Sequence, residues 1–524
     1  MRPLLLLIAL IATLARAASP NILVVLTDDV GWGDYRCYNP QGKIASPNVD
    51  RLAREGIRFT HAHTPAALCA PTRYSMLTGN FPWRGRDPGG TWGFNVPAQF
   101  REGQQTVANL LHAAGYRTAM FGKSGIGGKH VDKDGVPDFT QPMTDSPKRW
   151  GFDYSFIIPR GHQTTPYLFL ENELPFCDAD KLVRPFAKKG GDDANYAEPD
   201  WDNSKVGERL LSAAEKFLDD LHANHKTAPF FMHFCTDGAH SPYAPAPSIR
   251  GHTLDGMTKM TPHTDMVHET DILLGELMTM LEHRDLLANT MICLTSDNGG
   301  IPTEQHLGHD AVGGLRGYKS TMPEGGHRVP FIVWKPGMIP AAVRDQVVCT
   351  HDIVATSLDL AGVTIPAGQC LDAVSLLPVL TGKQNDSKPV RRHLLVQSSP
   401  GHDASHDGGI KGGPLTGHEP KRNYADLSGS DDSGTKPGKA IKKQMKKQGS
   451  ASDGMAHALY MGEWKLVMGL DDTPFALYDL SADLIEHTNL INDAVQAERV
   501  KEMEKVYRET RASNESASLS RTQP

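Results

Sequence analysis

Along this 524-residue chain, short runs of β-forming residues alternate with amphipathic helical stretches, and no other feature constrains the fold as much. Residues 21–26 read as the first strand. Helices at 47–55 and 106–114 stop at Gly56 and Gly115, the second leading into a strand at 117–121. A helix at 207–222 places Leu210, Leu211, Ala214, Phe217, Leu218 and Leu221 on one face, and a strand at 229–235 follows. Helix 263–281 with strand 290–295, then strand 329–334 with helix 352–361, complete the series. The expected fold class is α/β, a sheet between helical layers. In such sheets chemistry gathers just beyond the carboxyl ends of the strands.

Several chemically pointed residues fall at those ends. Strand 21–26 runs into Thr27-Asp28-Asp29, and strand 290–295 into Ser296-Asp297-Asn298. Three carboxylates and an amide oxygen are hard donors that suit Ca²⁺ or Mg²⁺, and carboxylates so close would repel unless a cation lay between them. Between these strands comes Leu68-Cys69-Ala70-Pro71-Thr72-Arg73, closed by Thr78-Gly79. Pro71 is tolerated near the first helical position and Gly79 can adopt the left-handed conformation that ends a helix, so residues 71–78 read as two turns. Cys69 then sits at the positive end of that helix, with Arg73 offering a forked pair of donors. This is a pocket for sulfate or phosphate. Lys123 after strand 117–121 and Lys319 in a glycine-bearing loop add positive charge, and His240 follows strand 229–235.

From Asn21 to Leu490 these segments resemble, in order, those of the type I, formylglycine-dependent sulfatases of the alkaline phosphatase superfamily. Cys69-Ala70-Pro71-Thr72-Arg73 with Thr78-Gly79 resembles their C-x-P-x-R … T-G signature. Gly122-Lys123, the stretches at 314–319 and 324–330, Gly462-Glu463-Trp464-Lys465-Leu466 and Leu477-Tyr478-Asp479-Leu480 resemble further family segments. The resemblance implies an alkaline-phosphatase-like sandwich: a large mixed central sheet flanked by helices, plus a smaller C-terminal subdomain with an antiparallel sheet and a helix. It implies that a formylglycine-generating or anaerobic maturation enzyme oxidises Cys69 to formylglycine. It also implies a divalent cation, Ca²⁺ with Mg²⁺ as the alternative, held by Asp28, Asp29, Asp297, Asn298 and residue 69 as formylglycine. Lys123, His240 and Lys319 would bind the sulfate, Arg73 would join them in stabilising its charge, and His240, with Lys319, would protonate the leaving alcohol. One hydroxyl of the hydrated aldehyde attacks sulfur, and the other expels sulfate as the aldehyde re-forms.

The implied activity is hydrolysis of a sulfate ester, on an aryl sulfate or most plausibly on a sulfated carbohydrate. Two alternatives stay open: a phosphoesterase or phosphonate hydrolase of the same superfamily, and a non-catalytic relative that binds sulfated glycans. One departure bears on this choice. Family members commonly read G-K-x-H, whereas this chain reads Gly122-Lys123-Ser124-Gly125, and glycine can neither hold nor move a proton. His130, beyond the glycine-rich stretch at 125–129, is the substitute within reach in the sequence. Another base, or slow turnover, is the alternative.

The ends of the chain add organisation. Met1-Arg2, the apolar run at 4–14 and Ala15-Arg16-Ala17 read as a signal peptide at 1–17, too short to span a bilayer, so the expected location is periplasmic or secreted. No later transmembrane segment is expected. Residues 18–385 read as the catalytic domain and 386–524 as the C-terminal subdomain. The latter contains a polar insertion at about 398–453 with a basic cluster from Lys436 to Lys447. That insertion and the loop at 160–173 would decide substrate choice. A net charge of -7 excludes a nucleic-acid partner. Of seven cysteines, six beside Cys69 could pair in an oxidising compartment, although Cys235 and Cys293 lie in apolar runs that suit buried thiols.

Overall fold

The computed structural model describes residues 19–87, 90–134, 136–185, 195–385, 387–399 and 455–513. The signal segment at 1–17 and the lysine cluster from Lys436 to Lys447 lie outside them. Strand β1 (Asn21–Thr27) is a continuous apolar run because it is buried on both faces. Ile22, Val24 and Leu26 point into one apolar cluster, Leu23 and Val25 into the other. Around it, in chain order, come α1 (Pro47–Glu55), β2 (Ile57–Phe59), α2 (Cys69–Thr78), α3 (Val107–Ala113), β3 (Arg117–Lys123) and β4 (Tyr154–Ile158). Then follow β5 (Leu170–Glu171), β6 (Leu174–Pro175), α4 (Val206–Asn224), β7 (Phe230–Cys235), α5 (Pro262–Glu282), β8 (Thr290–Ser296), β9 (Phe331–Trp334), β10 (Ala342–Arg344) and α6 (Asp352–Leu360).

These ten strands form one mixed sheet, ordered β10-β2-β9-β8-β1-β7-β3-β4-β5-β6. Its five middle strands, β8 to β4 in that order, are parallel, so their carboxyl ends share one edge. Helices α2, α3 and α6 cover one face and α1, α4 and α5 the other. The sequence-derived layers are therefore correct. Unanticipated were the short outer strands β2, β5, β6 and β10, of two or three residues each, whose brevity leaves no periodic signal. Strand β9 begins two residues later than expected, after Pro330, which has no N–H to give a ladder.

A four-stranded antiparallel sheet follows: β11 (Leu394–Gln397), β12 (His457–Met461), β13 (Trp464–Met468) and β14 (Pro474–Asp479), with α7 (Ala497–Ala512) packed on it through Met503, Val506 and Tyr507. A 3₁₀ turn at 494–496 leads into α7. This small sheet reaches the middle of the molecule. Gln397 exchanges backbone hydrogen bonds with Pro65 and Ala67, just before Cys69, and Ser399 donates to the carbonyl of Ser320, next to Lys319.

The joint is polar and buried. Lys465 Nζ lies 3.0 Å from Glu324 Oε1 and 2.7 Å from Glu486 Oε1, all three side chains fully enclosed. Arg328 Nε sits 2.8 Å from Glu324 Oε2. Removing one member strands the others, so Lys465→Met is expected to cost about 3–5 kcal/mol of unfolding free energy. Urea denaturation of the two proteins would read it, and an unchanged midpoint would contradict the role given to the joint.

The six cysteines other than Cys69 make no disulfide. Cys235, Cys293, Cys349 and Cys370 are buried among apolar side chains, as the apolar runs around Cys235 and Cys293 suggested, and the pairing that an oxidising compartment would permit is not formed. Burial pushes the Cys235 thiol up to about 12, so it is inert rather than reactive. Cys370 instead packs beneath Gly79, where a β-carbon would lie 2.3 Å from its sulfur. Gly79 has φ +67°, the left-handed turn that ends α2.

Candidate active site

Helix α2 starts at Cys69 itself, two residues earlier than the position of Pro71 suggested. The reason is that the first four N–H groups of a helix have no partner within it, so proline at its third residue loses nothing. Cys69 is thus the first helical residue, at the positive end of α2 and 2% exposed. Arg73 and Lys123 are both within electrostatic reach of its side chain.

The parallel strands deliver the rest to the same edge. From β1 come Asp28 and Asp29, from β8 Asp297 and Asn298, from β3 Lys123, and after β7 His240. Lys319 arrives from the loop before β9. Lys123 Nζ donates to Asp28 Oδ2 at 2.6 Å, and Lys319 Nζ lies 2.9 Å from the Asp29 carboxylate and 3.0 Å from His240 Nε2. His240 Nδ1 donates to the carbonyl of Ser241 at 2.6 Å, leaving Nε2 toward Lys319.

Arg73 is engaged on several sides. Its guanidinium forks onto Asp297 Oδ2 (Nε 3.0 Å, Nη2 2.6 Å) and donates from Nη1 to the carbonyl of Lys123 at 2.8 Å. A guanidinium 1% exposed needs partners on every side, and the carboxylate supplies them. Arg73 therefore holds the Asp297 and Asp28 carboxylates and the end of β3 together.

Two buried oxygens, Asp28 Oδ1 and Asn298 Oδ1, have no hydrogen-bond partner among the described residues. Each would ordinarily incur a desolvation penalty of about 1–3 kcal/mol, and with the Asp29 and Asp297 carboxylates beside them they form a hard-oxygen set that fits a divalent cation. Asp29 adopts φ +60° and receives the Asn298 amide on Oδ1 at 2.7 Å. Burial would raise Asp28, but Lys123, His240, Arg73 and Lys319 outweigh it and hold that carboxyl well below the usual range. Burial, then the Asp28 charge, pushes Asp297 up to about 6. For His240, burial and Lys319 act downward, yet Asp29 and Asp28 leave its pKa raised.

A second group, His61, His63 and Glu324, also brings three ligand-type atoms together. There the counter-charge is already built in, because Lys465 and Arg328 sit on Glu324. A cation would add uncompensated positive charge, so the oxygen-rich set at the strand ends is the metal candidate.

Nine of the ten residues singled out from the sequence converge: Asp28, Asp29, Cys69, Arg73, Lys123, His240, Asp297, Asn298 and Lys319. His130 has different surroundings. Its ring packs against Phe94 (5.4 Å) and Phe139 (4.8 Å), neither ring nitrogen has a hydrogen-bond partner among the described residues, and its charged neighbours are Lys129 and Asp132. Burial and Lys129 lower its pKa to about 4. Gly125, by contrast, faces the site: a β-carbon there would lie 3.2 Å from Arg73 Cδ and 4.0 Å from Lys123 Cε. Sequence reasoning missed His162 and Asp237, which line the wall beside Lys123. Asp237 lies between the end of β7 and His240, and His162 follows the end of β4 in the loop at 160–173.

A profile of the family described as Sulfatase matches residues 20–363. The chain is 29% identical over 422 residues to N-acetylgalactosamine-6-O-sulfatase of Bacteroides thetaiotaomicron, covering 72% of this chain and 79% of that one. To arylsulfatase A of Homo sapiens it is 33% identical over 392 residues, covering 72% and 71%. A solved 6S-sulfatase structure, from work on glycosaminoglycan metabolism by Bacteroides thetaiotaomicron, superposes with a TM-score of 0.74 at 24% identity, covering 95% of this chain and all of that one.

Proposed function

Because the chain belongs to the sulfatase family and is a sulfuric ester hydrolase, we propose that it removes sulfate from a sulfated carbohydrate, using formylglycine made from Cys69. The observation that carries this reading is the convergence of Cys69, at a helix N-terminus, with Lys123, His240, Lys319 and an orphaned set of buried oxygens. The carbohydrate reading is supported by relatives named for sugar sulfates. A cation bound by Asp28, Asp29, Asp297, Asn298 and residue 69 would supply positive charge to the sulfuryl oxygens and acidify the attacking hydroxyl; Ca²⁺ suits these ligands, and Mg²⁺ is the alternative.

The chain's own groups do the remaining work. Residue 69 provides the nucleophile, which must meet sulfur from the positive end of α2. Lys123 and Lys319 bind and neutralise the sulfuryl oxygens, and Arg73 holds Asp297 and the end of β3 so that Lys123 stays aimed. His240 gives a proton to the leaving oxygen, with Lys319 beside its Nε2. Since Asp29 and Asp28 leave its pKa raised against burial and Lys319, the proton is kept to higher pH than on a free imidazole and is lost as pH rises. The rate is expected to fall on the alkaline side, and a profile flat through that limb would remove His240 from the acid's role.

Residues 18–385 carry the chemistry in this reading, and 386–524 complete it through the contacts of Gln397 and Ser399. Export to the periplasm or beyond, by the signal at 1–17, and a maturation enzyme acting on Cys69 belong to the same proposal. Among the described residues no helix is long and apolar enough to cross a membrane.

Gly125 favours a second reading, a sulfated-glycan binder with no turnover, because no imidazole stands there to take the last proton. The phosphoesterase class is disfavoured by a cysteine in the nucleophile's place. Incubation with N-acetylgalactosamine 6-sulfate, a phosphate monoester and a phosphonate monoester separates these readings. Sulfate release that a chelator abolishes and Ca²⁺ restores is the expected result. Binding without release would favour the glycan binder, and faster phosphonate hydrolysis the phosphoesterase.

A further inference from the structure

Beyond β4 the chain turns through Pro159, Arg160 and Gly161 into His162, and this turn is tightly seated. At Gly161, where φ is +81°, a β-carbon would lie 2.7 Å from Lys123 Cδ and 3.1 Å from Asp237 Oδ1. The turn therefore passes between the lysine of the site and the buried carboxyl of Asp237. It delivers His162, 1% exposed, to the back of His240. His162 Nε2 lies 2.9 Å from the backbone carbonyl of His240, and the two rings meet edge-on at 6.4 Å.

A carbonyl only accepts, so Nε2 of His162 must carry hydrogen. Its other nitrogen, Nδ1, faces Asp237 Oδ2 at 3.9 Å. Asp237 is 4% exposed, and neither of its oxygens has a hydrogen-bond partner among the described residues. Two buried groups with one proton between them can exist as acid and neutral imidazole, or as carboxylate and imidazolium. Nε2 remains a donor in both states. Burial, which pushes Asp237 up to about 7, is consistent with a retained proton.

The turn that bears His240 is also closed by the His240 N–H bond to the Asp237 carbonyl at 3.0 Å. Its preceding residues are tied to Asp28 by the Asp28 N–H bond to the Gly238 carbonyl at 2.9 Å and the Ala239 N–H bond to the Asp28 carbonyl at 2.5 Å, so the His240 carbonyl itself is held by His162. The His240 ring is tied to its own chain through Nδ1. A shift of the His240 carbonyl would therefore swing Nε2 away from Lys319. We propose that His162, backed by Asp237, is a positioning residue: its Nε2–H holds the His240 backbone so that the imidazole presents Nε2 to the leaving oxygen. This rests on the reading of His240 as the proton donor.

The test uses leaving-group dependence, since an alkoxide of a sugar needs a proton far more than a nitrophenolate does. His162→Phe, which keeps the volume and removes the donor, is expected to lower kcat on N-acetylgalactosamine 6-sulfate at least about tenfold. On 4-nitrophenyl sulfate the change should stay within about threefold. His162→Gln returns an N–H donor and should recover most of the loss. Equal losses on both substrates, or none on either, overturn the proposal. A crystal structure of His162→Phe decides independently of activity: an imidazole of His240 displaced from Lys319 supports it, and an unmoved ring overturns it. Wild-type protein inert toward both sulfates would sink the sulfatase mechanism while leaving that structural readout intact.

Discussion

Cys69→Ala is expected to lower kcat/KM for sulfate release by at least about 10⁴-fold, because it removes the only nucleophile at the positive end of α2. Cys69→Ser tests the same point from the other side. Made in a host without a maturase that acts on serine, its hydroxyl can attack sulfur, the S–O bond to the alcohol breaks, and the leaving oxygen takes a proton. A serine ester then has no second hydroxyl with which to expel sulfate. One equivalent of alcohol and a protein heavier by about 80 Da are expected, followed by arrest. Steady turnover by either variant would contradict the role of residue 69. The fold should be unaffected, since both side chains are close in volume to the cysteine at this buried position.

The second large effect belongs to Asp297→Asn. The wild-type carboxylate serves two partners at once, accepting from Arg73 on Oδ2 and from the Asp29 N–H on Oδ1 at 3.3 Å. The amide keeps the shape but removes the charge, so a buried guanidinium is left with Asp28, 3.4 Å from its Nη2, as its remaining counter-ion, and the proposed cation loses a ligand. Unfolding free energy is expected to fall by about 3 kcal/mol, as when one member of a buried pair is removed. Activity should drop at least about 10³-fold and recover only in part at high Ca²⁺. Denaturant titration and Ca²⁺ calorimetry would measure the two effects. Unchanged stability would mean that Asp28 alone satisfies Arg73, and unchanged Ca²⁺ affinity would place the cation elsewhere.

Much of this site was legible in the chain because its residues follow directly from strand ends. Asp28, Lys123, Asp297 and His240 each lie within a few positions of a buried, periodic strand, and parallel pairing carries all of them to one edge. What resisted reading depends on direction rather than position. The spacing of Cys69 and Arg73 suggested a fork open to an anion, but nothing in it tells that the guanidinium turns onto Asp297. His130 was plausible by proximity in sequence, yet its nearest rings are Phe94 and Phe139. His162 gave no signal, since a lone histidine after a strand is usually structural, and only the approach of Gly161 to Lys123 reveals its place. The two-residue outer strands escaped because alternation cannot be recognised over so short a run.

The central claim is that residue 69 acts as formylglycine, and the mass of the peptide containing it tests this most directly. Purified from its own host and digested, that peptide should be lighter than its sequence by about 18 Da, the difference between a CH₂SH and a CHO side chain, in protein that releases sulfate. An unmodified Cys69 in protein that still turns over sulfate esters would contradict the account.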